Sequence, residues 1–263
     1  MGQMNELQLQ WQERMNTGTA WTRNEDFEKN GYLVIKDLWD PEELYHPLPP
    51  ERGRINYWGK NMDQFNHDPV EQQVKGSLAR YWHPQYRKIH TGIRLKLEEE
   101  IGRKLYNTYY YDRFYMPGMA LTKHADRDAC EISVSVHIST TLKECWPFVI
   151  KTPDTYVDKK KKDVVLVPGE ERSLCLEPGD GLLYKGCERP HWRDAMPGAK
   201  KSKKLFGKSA TEDYYHQIFF HYVLQDGQRA HCAWDRARSR HHSLNILLIN
   251  IRLMIGTLRK KAS

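Results

Sequence analysis

Two side chains that can bind a cation stand two residues apart, where Ala125 separates His124 from Asp126. Residues two apart on an extended chain point to the same side, so an imidazole nitrogen and a carboxylate oxygen can reach one ion from a single strand end. A surface histidine in a turn, with Asp126 capping a backbone N–H, is the alternative interpretation. Because two protein ligands do not make a selective site, a third must come from elsewhere in the chain.

His191 is the candidate third ligand, within the segment LEPGDGLLYKGCERPHWRD. A Pro-Gly-Asp-Gly turn there precedes an apolar strand, a short loop and then His191. Two histidines and one carboxylate on one face of a metal leave the opposite positions open, which is the arrangement of non-haem Fe(II) sites. His216 and His221, in the last predicted strand, are the alternative distal ligands.

The elements that must position these residues are mostly short strands after Gly102. Residues 131–139 (EISVSVHIS) alternate strictly, with four aliphatic side chains on one face and Ser133, Ser135 and His137 on the other. Further strands are predicted at residues 105–115, 146–151, 164–167, 172–176, 182–186 and 214–224, with turn signals between them. This pattern is typical of an antiparallel double-sheet jelly roll, also called a double-stranded β-helix.

The part before the strands has helical signals. Residues 21–45 predict a short helix, a strand (YLVIKDL) and a second helix that begins at Asp40-Pro41. Residues 66–102 are predicted to be helical, with Gly102 as the C-cap. The sequence therefore predicts a mainly β domain over residues 20–225, with helical support at 20–103, a jelly-roll core at 104–225 and a tail at 226–263.

The positive charge of the chain is concentrated in that tail. The whole chain has 41 Lys and Arg against 34 Asp and Glu, a net charge of +7, and residues 226–263 hold eight of the basic and two of the acidic residues. The tail thus carries +6 of the +7. We expect no nucleic-acid partner for the main domain, because binding a nucleic acid requires a basic surface around the site. The apolar stretch SLNILLINIRLMIGTL predicts a docked helix, with binding to an anionic membrane surface as the alternative.

The cysteines and the termini indicate the compartment. Five cysteines are widely spaced without a CxxC pair, which argues against a disulfide framework and a structural zinc site and fits a reducing cytosol. Residues 1–20 lack the apolar core of a signal peptide, and the longest apolar run, 244–255, is too short and too interrupted for a transmembrane segment. We therefore expect a soluble, cytoplasmic protein.

Several segments together resemble a known family. His124-Ala125-Asp126 with His191 downstream resembles the HxD…H signature of the Fe(II)/2-oxoglutarate-dependent oxygenase superfamily, nearest to its prolyl 4-hydroxylase-like members. The resemblance extends to FEKNGYLVIKDLWDPEEL, to the YMPG turn from Tyr115, to the PGD turn with LLY, and to YYHQIFFHYVL. It covers residues 24–225.

The resemblance implies a dioxygenase that uses Fe(2+), 2-oxoglutarate and O2, with ascorbate as a possible accessory. It implies hydroxylation of a C–H bond in a peptidyl, prolyl-like substrate. An oxygenase acting on a free amino acid or another small metabolite would share the same metal residues. The non-enzymatic alternative is a catalytically inactive jelly-roll module that binds metal.

One departure from the family pattern concerns the co-substrate. The family usually anchors the distal carboxylate of 2-oxoglutarate with Arg or Lys at the start of the last strand, where this chain has Tyr215 or His216. Arg193 and Lys185 are the candidate replacements, although Arg193 could instead pair with Asp194 at the rim. The resemblance implies these site residues: metal ligands His124, Asp126 and His191, and co-substrate residues Arg193, Tyr115 and His137.

Overall fold

The structure, a computed structural model, describes residues 22–46, 66–67, 73–74, 76, 78–158, 164–198 and 213–235. Its α-helices are α1 (Glu25–Asn30), α2 (Pro41–Leu44) and α3 (Tyr86–Ile101). Its strands are β1 (Tyr32–Ile35), β2 (Asn66–His67), β3 (Leu78–Tyr81), β4 (Leu105–Tyr115), β5 (Leu121–His124), β6 (Ile132–Thr140), β7 (Phe148–Lys151), β8 (Thr155–Asp158), β9 (Val164–Val167), β10 (Glu171–Leu174), β11 (Gly181–Tyr184), β12 (His191–Arg193) and β13 (Tyr215–Leu224). A short 3-10 segment covers Asp128–Cys130, and Ala230–Asp235 has 3-10 turns interrupted by a kink at Ala233 and Trp234.

The strands form two main antiparallel sheets. The major sheet has seven strands in the order β1-β11-β6-β13-β4-β3-β2, and the minor sheet has four in the order β10-β7-β12-β5. A separate hairpin pairs β8 with β9. The described part is mostly β with few helices, consistent with the jelly-roll-like fold that the turn-punctuated strand pattern predicts.

Strand β6 is buried on both faces. Its aliphatic residues pack against α3 in one core cluster: Ile132, Val134, Val136 and Ile138 from the strand, with Ile89, Ile93, Leu97 and Ile101 from the helix. Its polar residues Ser133, Ser135 and His137 are at most 3% exposed. The predicted alternation is confirmed, and the polar face lies inside the protein rather than in water.

Helix ends follow the capping signals in the sequence. Asn24 accepts a hydrogen bond from the backbone N–H of Phe27 (2.9 Å) and starts α1, and Asp40 does the same for α2 toward Glu42, with Pro41 in the first turn. Helix α3 ends at Gly102, which has φ of 64°. That left-handed conformation is costly for residues with a Cβ, so glycine is favoured there.

The prediction of helix over residues 66–102 is wrong for its first half. Helix α3 begins only at Tyr86, and Leu78–Tyr81 is strand β3, paired with β4. Two cross-strand contacts hold it there: Arg80 bonds Asp112, and the Tyr81 ring stacks on Tyr111 with centroids 4.8 Å apart. These tertiary contacts outweigh the local helical pattern, which carries no information about the partner strand.

The sequence argument against disulfides does not hold for one pair of cysteines. Cys145 and Cys175 form a disulfide, while Cys130, Cys187 and Cys232 are free. Antiparallel pairing of Phe148 on β7 with Leu174 on β10 brings the two flanking cysteines together, although they are 30 residues apart in sequence. Disulfides persist mainly in oxidising surroundings, so the argument for a reducing cytosol no longer holds. No helix among the described residues is long and apolar enough to cross a membrane.

The start of the predicted tail lies against the domain. Asp226 bonds Arg103 at 2.6 Å. Asp235 bonds Arg127 at 2.7 Å, and Arg229 bonds Asp128 at 3.0 Å. The predicted helix at residues 243–258 lies outside the described residues.

Candidate metal centre

The two candidate histidine ligands are cross-strand neighbours. His124 is the last residue of β5 and His191 the first of β12, and the antiparallel register pairs them directly. Their ring centroids are 4.4 Å apart. Directly opposed residues on adjacent strands share one face of the sheet, which explains how two positions so distant in sequence meet.

Asp126 completes the group from the loop after β5. Its Oδ1 lies 3.6 Å from Nε2 of His124 and 3.7 Å from Nε2 of His191. One ligand atom from each residue lies within 4.8 Å of the others. Ligands bound at about 2.0–2.2 Å on adjacent corners of one ion lie about 3 Å apart, so a small contraction suffices for coordination.

Backbone carbonyls fix the tautomer of both histidines. Nδ1 of His124 lies 2.7 Å from the carbonyl oxygen of Thr122, and Nδ1 of His191 lies 2.9 Å from that of Arg189. A carbonyl only accepts, so each Nδ1 carries the proton. Each Nε2 therefore presents its lone pair to the centre, as a metal ligand requires.

Asp126 is held through its carboxylate and through its backbone by two groups that the metal motif does not include. Ser133 Oγ donates to its Oδ2 (3.0 Å), and the Asp126 N–H donates to the carbonyl of Gly186 (2.8 Å). A Cβ on Gly186 would lie 2.2 Å from the carbonyl oxygen of Cys130 and 2.5 Å from Oδ2 of Asp126. The sequence indicates Ser133 only as part of the polar face of β6, and no local sequence pattern indicates that Gly186 supports Asp126.

The charges of the group suit a divalent cation. Burial acts to raise the pKa of Asp126, but the neighbouring His191 and His124 outweigh it and lower that pKa to about 2. Burial lowers the pKa of His191, against the opposing effect of Asp126. At neutral pH the carboxylate is ionised and His191 is neutral, the protonation states in which these groups bind metal.

The centre lies at the rim of the space between the sheets. The side chain of His191 is 2% exposed, while those of Asp126 and His124 are 11% and 16% exposed. The rings of Phe148 and Tyr184 pack on His191, with centroids 5.4 and 4.8 Å away. The group is thus backed by aromatic side chains and opens on the His124 side.

Arg193 points into the interior two residues beyond His191, on the same face of β12. It is 1% exposed. Its guanidinium donates to Trp146 O, to the Tyr215 hydroxyl (3.3 Å) and to Gln217 Oε1 (3.0 Å), and it makes no ion pair within the described ranges. The alternative interpretation, a rim arginine paired with Asp194, is not supported, because the guanidinium bonds these three oxygens instead.

His137 and Tyr115 lie beside the same residues. The His137 ring stacks on Tyr215 (centroids 4.2 Å), and its Nδ1 donates to the carbonyl of Leu176 (2.8 Å). Burial lowers the pKa of His137 to about 4, so Nε2 is an acceptor at neutral pH and can hold a hydroxyl or water, not a carboxylate directly. Tyr115 is fully buried, with its ring 5.0 Å from that of Trp146.

We call Arg193, His137, Tyr215 and Gln217 the inner cluster. Three of its polar atoms are buried and have no hydrogen-bond partner among the described residues: Arg193 Nε, Gln217 Nε2 and His137 Nε2. Two of the three are donors: Arg193 Nε is part of a buried positive charge, and Gln217 Nε2 belongs to a residue that contacts it. The cluster has the composition of a site for an anionic ligand.

The alternative residues have other partners. Lys185 pairs with Glu28 at 2.5 Å, which excludes it as the co-substrate anchor in this arrangement. His216 bonds Asp112 (2.9 Å) on the other face of the major sheet, away from the ligand group. His221 lies behind Asp126, where with Cys130 it forms a second group of ligand-type atoms, and its Nδ1 bonds Ser133 Oγ (2.9 Å).

Comparisons with known proteins give structural likenesses only. No protein-family model and no curated protein matches the chain. A prolyl-4-hydroxylase from Pseudomonas putida has 13% identity and a TM-score of 0.45, covering 75% of this chain and 95% of its own. An oxidoreductase of the 2OG-Fe(II) oxygenase family from Burkholderia pseudomallei has 11% identity and a TM-score of 0.46, covering 75% and 87%. HygX from Streptomyces hygroscopicus, with nickel and 2-oxoglutarate bound, has 13% identity and a TM-score of 0.46, covering 78% and 87%.

Proposed function

We propose that the chain is an iron(II)- and 2-oxoglutarate-dependent oxygenase that hydroxylates a C–H bond, with the metal on His124, Asp126 and His191. The donor set carries the proposal: two imidazoles whose Nδ1 atoms bond backbone carbonyls, so that Nε2 faces the centre, and one carboxylate whose pKa is lowered to about 2. These three residues would hold the ion from one side and would leave positions open for co-substrate and dioxygen.

The inner cluster supports 2-oxoglutarate as the co-substrate. In this proposal Arg193 anchors the distal carboxylate, with the Tyr215 hydroxyl and Gln217 beside it. His137 would hold a hydroxyl or water that in turn donates to the carboxylate, and Tyr115 would form a wall of the pocket. Each buried polar atom left unpaired costs about 1–3 kcal/mol, so an anion that satisfies these donors is stabilised there.

The residues of the chain supply binding, orientation and exclusion of water. When bound, iron with 2-oxoglutarate and dioxygen supplies the oxidation that converts a C–H bond to an alcohol, with succinate and CO2 as co-products. Asp126 would compensate part of the charge of the metal, and Ser133 holds that carboxylate in place. The aromatic rings of Phe148 and Tyr184 exclude water from the His191 side.

The finer parts of the proposal are the substrate and the domain limits. The resemblance of the HxD…H block and its flanking segments favours a peptidyl, prolyl-like substrate. We propose residues 20–225 as the oxygenase domain, with residues 226–235 docked on it through Arg229 and Asp235.

Turnover of 2-oxoglutarate with iron, in the absence of any other substrate, tests the metal assignment. His124→Ala and Asp126→Ala should abolish this consumption, while circular dichroism and Tm remain those of a folded domain. His231→Ala, which removes an exposed histidine, is the matched control and should retain full turnover. Loss of the fold together with turnover would indicate a structural role for the ligands, and retained turnover would refute the site.

Mass spectrometry tests the substrate class. Incubation with proline-containing peptides and, separately, with a pool of free amino acids and small metabolites should give a product heavier by one oxygen, about 16 Da, as hydroxylation implies. We expect it in the peptide pool. A product only in the metabolite pool would exchange the substrate while leaving the oxygenase proposal intact, and no 2-oxoglutarate turnover at all would favour a metal-binding module.

A further inference from the structure

The Cys145–Cys175 disulfide lies at the surface, outside the metal centre. Both cysteines are exposed, and their Cα atoms are 5.8 Å apart. They stand just beyond the last paired residues of β7 and β10, Phe148 and Leu174. Strand β10 is an edge strand of the minor sheet, so its end has paired backbone on one side only.

Each cysteine is followed by a buried residue whose carbonyl holds a member of the inner cluster. Trp146 follows Cys145, and its carbonyl oxygen accepts a hydrogen bond from Nη1 of Arg193. Leu176 follows Cys175, and its carbonyl oxygen accepts from Nδ1 of His137 at 2.8 Å. The two carbonyls thus belong to two separate loops that the disulfide joins covalently.

The Trp146 ring adds a second link between the disulfide and the cluster. It is 4% exposed and packs on the Arg193 guanidinium (4.5 Å) and on the Tyr215 ring (5.3 Å). Its Nε1 donates to the carbonyl of Asp194 (3.0 Å), which follows Arg193 on the chain. A displacement of the residue after Cys145 would therefore move both the carbonyl and the ring that orient Arg193.

The metal ligands are held by different contacts. Thr122 and Arg189 fix the histidines, and Gly186 and Ser133 fix Asp126. Neither loop of the disulfide contributes to that set. The covalent link consequently constrains mainly one half of the site, the inner cluster, and reaches the metal ligands only through Phe148, whose ring packs on His191.

We infer that the Cys145–Cys175 disulfide is a positioning element for the co-substrate pocket, so that its reduction weakens binding of 2-oxoglutarate while metal binding persists. This inference rests on the proposed function. In the reduction, a dithiol transfers two electrons and two protons to the S–S bond, which becomes two thiols, and the dithiol closes to a cyclic disulfide. Exposed disulfides are the kind that exchange readily with such thiols.

Titration of the oxidised and the reduced protein with 2-oxoglutarate tests the inference. The chain is reduced with dithiothreitol, desalted without oxygen and loaded with Mn²⁺, and thiol counting should give three free thiols before and five after reduction. We expect the Kd for 2-oxoglutarate to rise about tenfold, the equivalent of one misplaced charge-assisted hydrogen bond. The Kd for Mn²⁺ should change less than about twofold, a difference below 0.5 kcal/mol.

Variants separate positioning from stability. Cys145→Ser with Cys175→Ser should reproduce the weakened binding of 2-oxoglutarate and lose all response to dithiothreitol. Cys187→Ser should keep the wild-type affinity and the wild-type response. A lower Tm with unchanged Kd for 2-oxoglutarate would show a purely structural disulfide and overturn the inference, as would five free thiols before reduction.

Failure of the proposed function would look different. If the oxidised, Mn²⁺-loaded wild-type chain bound no 2-oxoglutarate, the co-substrate assignment would be wrong, whatever the state of the cysteines. If the double variant failed to fold, the reduced wild-type chain would still decide, because its sequence is unchanged. Loss of Mn²⁺ binding on reduction would also overturn the inference, since the disulfide would then support the whole site.

Discussion

Two arginines are buried to the same degree but contact different kinds of group. Arg80 is 2% exposed and Arg193 is 1% exposed. Arg80 makes two hydrogen bonds to the carboxylate of Asp112, at 3.0 and 2.7 Å. Arg193 bonds only uncharged oxygens within the described ranges, including those of Trp146 and Gln217.

The difference separates a structural charge from one that a ligand can neutralise. Burying an ion without a counter-ion costs several kcal/mol, so a protein tolerates it where function requires it. Around Arg80 the balance is internal, because Asp112 also accepts from His216 at 2.9 Å. Arg193 has no counter-ion among the described residues, and it lies close to the candidate metal centre. Burial alone would not have told the two apart.

Removing the counter-ion of Arg80 should give the largest effect. Asp112→Ala leaves a buried guanidinium unpaired, and breaking a buried pair in this way costs about 3–5 kcal/mol in the free energy of unfolding. Urea denaturation measures it. Glu171→Ala, which removes the exposed partner of Lys123, is the control and should change stability by less than about 1 kcal/mol. Equal effects of the two substitutions would remove the distinction.

Arg193→Met should affect stability less than Asp112→Ala and co-substrate binding more. It removes a charge that lacks a counter-ion, but it also leaves Trp146 O and Gln217 Oε1 without their donor, so the free energy of unfolding should fall by no more than about 1–3 kcal/mol. The KM for 2-oxoglutarate should increase about 10–100-fold, which is the loss of one hydrogen bond to a charged group. Arg172→Met on the surface of β10 is the control for both measurements. A destabilisation as large as that of Asp112→Ala would make Arg193 a structural residue.

The partly exposed carboxylate of Asp126 carries a third charge, and a metal would be its counter-ion at neutral pH, because the neighbouring His191 is then neutral. Gly186→Ala would force a methyl group to within 2.5 Å of its Oδ2, so the carboxylate must move. We expect metal affinity to fall about 10–100-fold, the usual cost of disturbing a group that orients a ligand. Titration with Mn²⁺ checks it, with Ser173→Ala at an exposed position of β10 as the control.

The smallest effect is a dependence of stability on pH. Burial lowers the pKa of His90 to about 3 and that of His137 to about 4. Below their ordinary value near 6.5 the unfolded chain binds protons that the folded chain does not, so stability is complete above pH 6.5 and falls as the pH drops toward 4. His90→Gln should flatten this fall by roughly 1–3 kcal/mol. An unchanged slope in urea midpoints measured at pH 7, 5 and 4 would contradict the assignment.

Local periodicity made part of the molecule predictable. The alternation of β6 and the caps at Asn24, Asp40 and Gly102 depend on neighbouring residues, and the sequence contains them. Most strands after Gly102 appear close to their predicted limits for the same reason.

Pairing between distant strands was not predictable from one sequence. Strand β3, the Cys145–Cys175 disulfide and the loss of Lys185 to Glu28 all follow from which segments lie side by side. The metal group shows both cases. The spacing of His124 and Asp126 is local, whereas their approach to His191 depends on the register of β5 with β12.

The two faces of strand β6 limit where residues can be inserted into the chain or deleted from it. Its even-numbered residues, such as Val134 and Val136, belong to the core against α3, while Ser133 supports Asp126 and His137 belongs to the inner cluster. A single inserted or deleted residue within the strand would exchange the two sets, placing hydroxyl and imidazole groups against the helix and methyl groups beside the candidate iron site. The nine residues of β6 therefore serve both the stability of the core and the arrangement of the candidate site. Changes of length can be accommodated only outside them.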